Sequence, residues 1–266
     1  MTVLATHDLR VHFGGVRALD GVTLALGLGG SVHAIIGPNG AGKTSFVNAV
    51  TGVYRATSGT IDLDGRNVSG LSAHELARIG VTRTFQNLQI FWTMTALENV
   101  VCGFHLVNEA GFWRGLLRTP RLVRRSRAIE QEALQILSSV GLGKRASDMA
   151  GSLSYGELKR LEIARAIASK PRLLFLDEPV AGCTATEKKL LGRLIRELAE
   201  ATHAAIVIIE HDMKLVMSIS DRVTVLVGGC VLADGLPELV RNDASVIEAY
   251  LGAAKVRQER SYASAG

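Results

Sequence analysis

The residues whose types and spacing are best suited to chemistry begin at "GPNGAGKT", residues 37–44. Gly37, four intervening residues, Gly42, Lys43 and Thr44 complete a phosphate-loop pattern. Such a loop aims backbone N–H groups at phosphate oxygens, and its glycines supply the backbone angles the turn needs. The candidate cradle is Gly37, Pro38, Asn39, Gly40, Ala41 and Gly42, with Lys43, Thr44 and Ser45 opening the helix behind it. The positive end of that helix adds to the anion site. Lys43 would neutralise the β- and γ-phosphates, and Thr44 would offer its hydroxyl to Mg²⁺. A plain Gly-rich turn is the alternative; a strand pattern before the loop and a helix pattern after it favour the phosphate site.

A second group of candidates follows short apolar runs. "LLFLDEP" (173–179) sends a buried strand into Asp177 and Glu178. An acid at the end of such a strand is the usual Mg²⁺-holding partner of a phosphate loop. Neighbouring strand residues point to opposite faces, so the two acids are expected to do different work. Asp177 would help hold Mg²⁺ through water, and Glu178 would take a proton from an attacking water. An acidic strand cap is the competing reading. "VIIEHD" (207–212) repeats the layout and places His211 at a strand's C-terminal end, where open α/β sheets bind ligands. A γ-phosphate contact is expected of His211; His7, His12, His33, His74, His105 and His203 are read as structural.

"LSYGELKRLEIARAI" (153–167) carries a third candidate. Ser154 and Glu157 have capping-box spacing, and Leu158, Leu161, Ala164 and Ala168 recur at helical intervals. The same positive helix end could bind an anion through Ser154 and Gly156.

The elements that must position these residues can be read in outline. Residues 3–35 suggest short strands and hairpins broken by Gly14-Gly15 and Gly29-Gly30. Residues 58–68 alternate around an Asp64-Gly65 turn, and 71–80 read as a short helix. From Thr95 to about Gly143 the pattern is helical, with a Thr95–Glu98 capping box at its start. Then helix and strand alternate: 154–169, 172–179, 184–203 and 204–212. That alternation predicts a parallel sheet with crossover helices. Residues 222–235 read as a hairpin and 237–252 as one helix, and no internal repeat is visible.

The chain has 266 residues, 47% hydrophobic and 21% charged, a composition that suits a globular protein with a full core. Cys102, Cys183 and Cys230 are far apart and odd in number, which points to a reducing compartment and buried or idle thiols. The N-terminus carries Asp8 and lacks the long apolar core of a signal peptide. No run approaches the roughly 18 apolar residues of a membrane span. The formal net charge is +5, and six arginines crowd residues 114–127. A solvated helix face is the favoured reading of that run over a nucleic-acid or lipid contact, since no aromatic interleaving accompanies it.

Taken together, these pieces resemble the nucleotide-binding domains of ABC transporters over roughly residues 3–252. "LSYGE" resembles that family's signature motif, Gln86 in "RTFQN" its glutamine loop, His211 its switch histidine, and Phe13 in "VHFGGVRAL" its adenine-stacking aromatic residue. A phosphate loop alone is shared by many ATPases; the five motifs in this order are far more specific. The resemblance implies an α/β fold: a P-loop NTPase (RecA-like) core with an N-terminal antiparallel β subdomain and an inserted α-helical subdomain. It implies one domain over 1–254, with core and β subdomain at 1–94, helical subdomain at 95–159, core again at 160–254, and a flexible tail at 255–266.

The resemblance also implies ATP and Mg²⁺ as ligands. Thr44, Gln86 and Asp177 would serve the metal, and Glu178, His211 and Gln86 the hydrolysis. Ser154, Gly156 and Glu157 would meet the γ-phosphate of ATP held by a second ABC ATPase subunit, identical or related. The chain looks most like the ATPase subunits of importers for branched-chain and other hydrophobic amino acids, on "RTFQNLQIFWTMTALENV", "IEHDMKLVMSISDRV", "VIEAYLG" and the segment 112–121. Implied partners are membrane permease subunits and, indirectly, a periplasmic or extracellular solute-binding protein. The implied location is peripheral, on the cytoplasmic face of the plasma membrane, with no nucleic acid bound.

Several residues depart from the family pattern. Tyr155 and Glu157 replace the commoner Gly and Gln, although Tyr at that place is familiar in this subgroup; Thr184 stands where Asp or Asn is usual, and Ala185 where this subgroup tends to have Pro. Gly228-Gly229 and Cys230 differ from the usual polar turn. The rival readings are a soluble ABC ATPase acting on nucleic acid or ribosomes, and a non-catalytic nucleotide-binding regulatory module.

Overall fold

The computed structural model describes residues 2–27, 29–104 and 120–251. The proposed tail at 255–266 and most of the segment 112–121 lie outside the described residues. Two sheets organise the chain. The first is antiparallel, in the order β2-β1-β4-β5, built from β1 (Leu4–Phe13), β2 (Val16–Leu26), β4 (Ser58–Leu63) and β5 (Arg66–Asn67). The short strands expected near the N-terminus are in fact long. β1 and β2 join across the two-residue Gly14-Gly15 turn and absorb their length through register shifts.

The second sheet runs β10-β9-β3-β8-β7-β6. Its strands are β3 (Val32–Ile36), β6 (Val81–Arg83), β7 (Leu173–Asp177), β8 (Ala205–Ile209), β9 (Arg222–Val227) and β10 (Cys230–Gly235). All are parallel except β10, which returns antiparallel on β9 as the predicted hairpin. Every residue of β3, β7 and β8 is buried, as continuous apolar runs in a two-sided parallel sheet require.

Helices cover both faces. Ile35, Phe175 and Val207 pack with Phe46 and Val47 of α1 (Lys43–Val50) and with the antiparallel sheet. α2 (Ala73–Arg78) adds Leu76 to that core. Ile36, Leu174, Leu176, Ile206 and Ile208 face the other way. There they meet α3 (Ala96–Gly103), α4 (Pro120–Ser139), α5 (Tyr155–Ala168), α6 (Ala185–Thr202) and α7 (Met213–Ile219). The capping boxes read at Thr95–Glu98 and Ser154–Glu157 are both present. Arg124, Arg125 and Arg127 of the arginine run occupy exposed positions of α4.

Two expectations are corrected. The helix expected over 237–252 is two: α8 (Pro237–Arg241) ends, and α9 (244–251) starts afresh. The break comes from Asp243, whose Oδ1 accepts from the N–H of Ser245 at 2.8 Å and of Val246 at 3.4 Å, a side-chain cap that begins a new helix. The second correction concerns Glu178. It lies beyond β7 in the left-handed region, at φ 48°, so the pleat does not set its direction. No helix among the described residues is long and apolar enough to cross a membrane.

His33 on β3 is 2% exposed, and its Nε2 lies 2.8 Å from Thr224 Oγ1. Burial pushes this imidazole down to about 4, with the Asp234 carboxylate pulling upward. The unfolded chain therefore binds a proton here between about pH 6.5 and 4 that the folded chain refuses. Stability should fall as pH drops through that window, by about 3 kcal/mol from this group. Urea titrations of the wild type and His33→Gln across that range should differ in slope accordingly; parallel curves would contradict the assignment.

Candidate active site

β3 delivers the chain to the phosphate loop. Gly37 and Gly42 take φ of 151° and 99°. A side chain on Gly37 would collide with the Leu226 carbonyl, and one on Gly42 would sit 2.5 Å from the Ala18 carbonyl. Both positions therefore demand glycine on conformation and on space. α1 begins at Lys43 with no side-chain cap, which leaves its first N–H groups for a ligand. Lys43 Nζ donates to the carbonyls of Gly37 at 2.6 Å and Pro38 at 2.9 Å. Burial holds this ammonium below its ordinary pKa, with Glu178 and Asp177 pulling it back up.

The Gly228-Gly229 turn, given no role from the sequence, supports this loop from behind. Gly229 N–H donates to the Ala41 carbonyl at 3.0 Å, and Asp20 N–H donates to the Gly229 carbonyl at 2.9 Å. A Cβ at Gly229 would come within 2.9 Å of the Ala18 carbonyl. Cys230 Sγ donates to the Asp20 carbonyl at 3.3 Å, continuing the same seam. Tyr250 of α9 is a second unpredicted neighbour. Its hydroxyl is shut away from solvent without a hydrogen bond of ordinary geometry. Burial pushes the phenol up to about 12, opposed by the Gly37 backbone.

Asp177 ends β7, buried. Burial raises its carboxyl pKa, and the Arg83 guanidinium, 3.5 Å away, opposes that rise. Arg83 is itself fixed by Asn48 Oδ1 at 2.5 Å. The Asp177 N–H donates to Thr84 Oγ1 at 3.2 Å. Neither Arg83 nor Thr84 is singled out by the sequence reading, although they are the first two residues of "RTFQN".

Glu178 draws three of the candidates together. Its N–H donates to the Ile209 carbonyl at 2.9 Å. Gln86 Nε2 donates to Glu178 Oε2 at 3.4 Å, and His211 Nδ1 lies 3.8 Å from Glu178 Oε1. Buried Glu210 organises both loops. Its Oε1 accepts from Val180 N–H at 3.1 Å, and its Oε2 from His211 N–H at 3.1 Å. A charged residue at the tip of an apolar strand was the signal available in "VIIEHD"; attention to His211 passed it over.

Other candidates stand elsewhere. Phe13, at the end of β1, exposes nearly half its surface and meets Tyr54 edge-on at 5.3 Å. Ser154, Gly156 and Glu157 form the start of α5. Glu157 Oε2 accepts from Ser154 N–H at 2.8 Å, and its Oε1 from Arg145 Nη1 at 3.1 Å. The Ser154 backbone bond, more than any other influence, holds this carboxyl below its usual range. Gly156 is buried, and a side chain there would collide with the Glu187 carboxylate. Thr184, the apparent departure, caps α6 in a box with Glu187.

A separate groove of about 990 Å³ opens between the Gln86 loop and α3 to α5. Arg83 stacks over Phe85 at 4.6 Å and Arg165 over Phe91 at 5.4 Å on its walls, with Trp92 and Glu162 beside them. Among the described residues, no group of three or more His, Cys, Asp or Glu could hold a metal.

Comparison with known proteins agrees with this geometry. The family profile "ABC transporter" matches residues 19–181, and the profile "Branched-chain amino acid ATP-binding cassette transporter" matches residues 230–256. The high-affinity branched-chain amino acid transport ATP-binding protein BraF of Pseudomonas aeruginosa is 45% identical over 252 residues, 95% of this chain and 98% of that one. LivG of Escherichia coli, of the same description, is 44% identical with the same coverage. An ATP-binding cassette of an ABC transporter, solved in its ADP conformation, superposes with a TM-score of 0.81 at 30% identity, covering 95% of this chain and 99% of that one. A loop of phosphate-binding geometry, acids at the end of a parallel strand, and this extent of similarity have one conclusion: the chain belongs to the ABC transporter ATP-binding family.

Proposed function

We propose that the chain is the ATP-binding and ATP-hydrolysing subunit of an ABC importer that powers uptake of branched-chain or other hydrophobic amino acids through a separate membrane permease. One observation carries the ATPase reading: Gln86 and His211 each approach the Glu178 carboxylate, at 3.4 and 3.8 Å, at the sheet end that holds Asp177. The relatives' descriptions and the C-terminal profile support the solute class. No observation favours the alternative of a soluble ATPase working on nucleic acid or ribosomes.

The residues divide the work as follows. Gly37, Pro38, Asn39, Gly40, Ala41, Gly42 and Ser45 wrap the phosphates. Lys43 exchanges its carbonyl acceptors for β- and γ-phosphate oxygens, and Phe13 offers an exposed ring to adenine. The donors Thr44, Gln86 and Asp177 present oxygens, the ligand type Mg²⁺ prefers. The buried Asp177 carboxylate, with Arg83 no nearer than 3.5 Å, fits a site that needs another cation. Mg²⁺, when bound, neutralises charge on the phosphates. Glu178 accepts the proton of the attacking water while Gln86 and His211 orient its carboxylate.

A second ABC ATPase subunit, identical or related, completes each site. Ser154 and Gly156 contact that partner's γ-phosphate through the positive end of α5, and Glu157 serves by holding Ser154 in place. Only ATP-bound subunits gain that contact, so ATP biases the closed dimer and hydrolysis releases it. We take residues 1–254 as one domain in which 95–159 is a helical arm. On this reading the groove beside the Gln86 loop receives the permease, and the chain works at the cytoplasmic face of the membrane. A solute-binding protein outside the membrane is reached only through that permease.

Three outcomes test this reading. Glu178→Gln should bind ATP within about threefold of wild type yet release phosphate at least about a hundredfold more slowly, with ATP driving a dimer seen by light scattering. Rapid turnover in that variant would remove Glu178 as the base. Lys43→Ala should raise the Kd for ATP about tenfold or more, measured by fluorescence titration; unchanged affinity would refute the phosphate contact. Ser154→Arg should leave monomer affinity intact and abolish the ATP-driven dimer. If circular dichroism shows instead that α5 is lost, the serine is only a helix cap.

A further inference from the structure

Tyr155 opens the signature helix α5, and its half-exposed ring reaches the loop that follows Glu178. A Cβ built on Gly182 would lie 3.0 Å from Tyr155 Cε1 and 3.5 Å from its hydroxyl, so the ring rests on the Gly182 backbone. From below, the Lys159 ammonium sits 5.9 Å from the ring centroid, on a side chain only 2% exposed. The next residue, Gly156, packs against Glu187, which is held in its capping box by Thr184. Two successive helix starts, α5 and α6, thus abut through their first turns.

The loop that leads from β7 to α6 is short and internally bonded. Ala181 N–H donates to the Glu178 carbonyl at 3.1 Å, and Cys183 N–H donates to the Val180 carbonyl at 3.1 Å. Val180 is anchored in turn to Glu210 at 3.1 Å. Gly182 is tied to Glu178 through consecutive turns, so a displacement of the signature helix that carries the Tyr155 ring against Gly182 bears on that loop and on the left-handed backbone at Glu178.

We propose that Tyr155 is a positioning residue for hydrolysis: by bearing on Gly182 it makes the placement of Glu178 depend on the position of the signature helix in the same chain. The proposal rests on the ATPase reading above. Ser154, one residue away, is assigned there to the partner's nucleotide, so the contact couples recognition of one ATP to the base that serves the other. The hydroxyl is not required; the ring is.

The experiment compares the full chain with Tyr155→Ala and Tyr155→Phe, reading steady-state ATP hydrolysis and backbone amide exchange over residues 180–184. Tyr155→Ala should lower kcat about tenfold while KM for ATP stays within about twofold, and its loop amides should exchange at least about tenfold faster. Tyr155→Phe should restore both to within about twofold. An unchanged kcat in Tyr155→Ala, a parallel rise in KM, or failure of phenylalanine to rescue would overturn the proposal. Amide exchange also separates the two readings. Faster loop exchange in a chain whose wild type releases no phosphate would sink the ATPase reading and leave the contact standing. Wild-type hydrolysis with unchanged exchange in Tyr155→Ala would sink the Tyr155 role alone. If the alanine variant loses helix by circular dichroism, Tyr155→Leu replaces it under the same criteria.

Discussion

β7 and β8 lie side by side in parallel register, Leu173 opposite Ala205 through Asp177 opposite Ile209, and the site depends on that pairing. Both strands are buried on both faces, so their side chains are committed alternately to the two cores. A slip of one residue would exchange Leu174 and Leu176 for Leu173 and Phe175 on each face and disrupt both cores at once. The register therefore has a steep cost of error, and it carries the chemistry with it. Glu178 N–H meets the Ile209 carbonyl, and the two loops that leave these strands bring Glu178 and His211 face to face.

The packing that fixes the register also takes charge out of water. Asp177 is raised by burial, and Lys43 is lowered by it. Glu210, 1% exposed, accepts from three backbone N–H groups, those of Val180, His211 and Asp212. Isolated charges in such surroundings are costly, and the cost is offset only where partners arrive. The left-handed backbone at Glu178 adds strain of the kind that persists only when its neighbours enforce it. The end of the sheet is thus arranged to gain from a bound nucleotide rather than from its own residues alone.

Much of this was legible in the sequence because it is local. The phosphate loop, the buried strands ending in acids, and the capping boxes at Thr95 and Ser154 are patterns of a few consecutive residues. Thr184 shows the limit of reading by family habit. It looked like a lost aspartate, yet Thr184 and Glu187 carry the same box spacing and cap α6. Asp243 was likewise a visible cap inside a stretch read as one helix. What stayed hidden was set by contacts remote in sequence. Gly229 supports Ala41, Arg83 faces Asp177, and Glu210 joins two loops. Nothing within a window of ten residues distinguishes the first two from an ordinary turn and a surface arginine, and the apolar run before Glu210 marks a strand tip without showing which loops it joins.

Shared sites make the central claim measurable in solution. If each ATP needs a phosphate loop from one subunit and a signature helix from another, turnover cannot be independent at the two sites. The most direct measurement is phosphate release by the purified full chain across a range of ATP concentrations. The account predicts a sigmoidal dependence with a Hill coefficient approaching about 2, the limit for two sites. A hyperbolic dependence at a rate proportional to protein concentration, or no release at all, would contradict it.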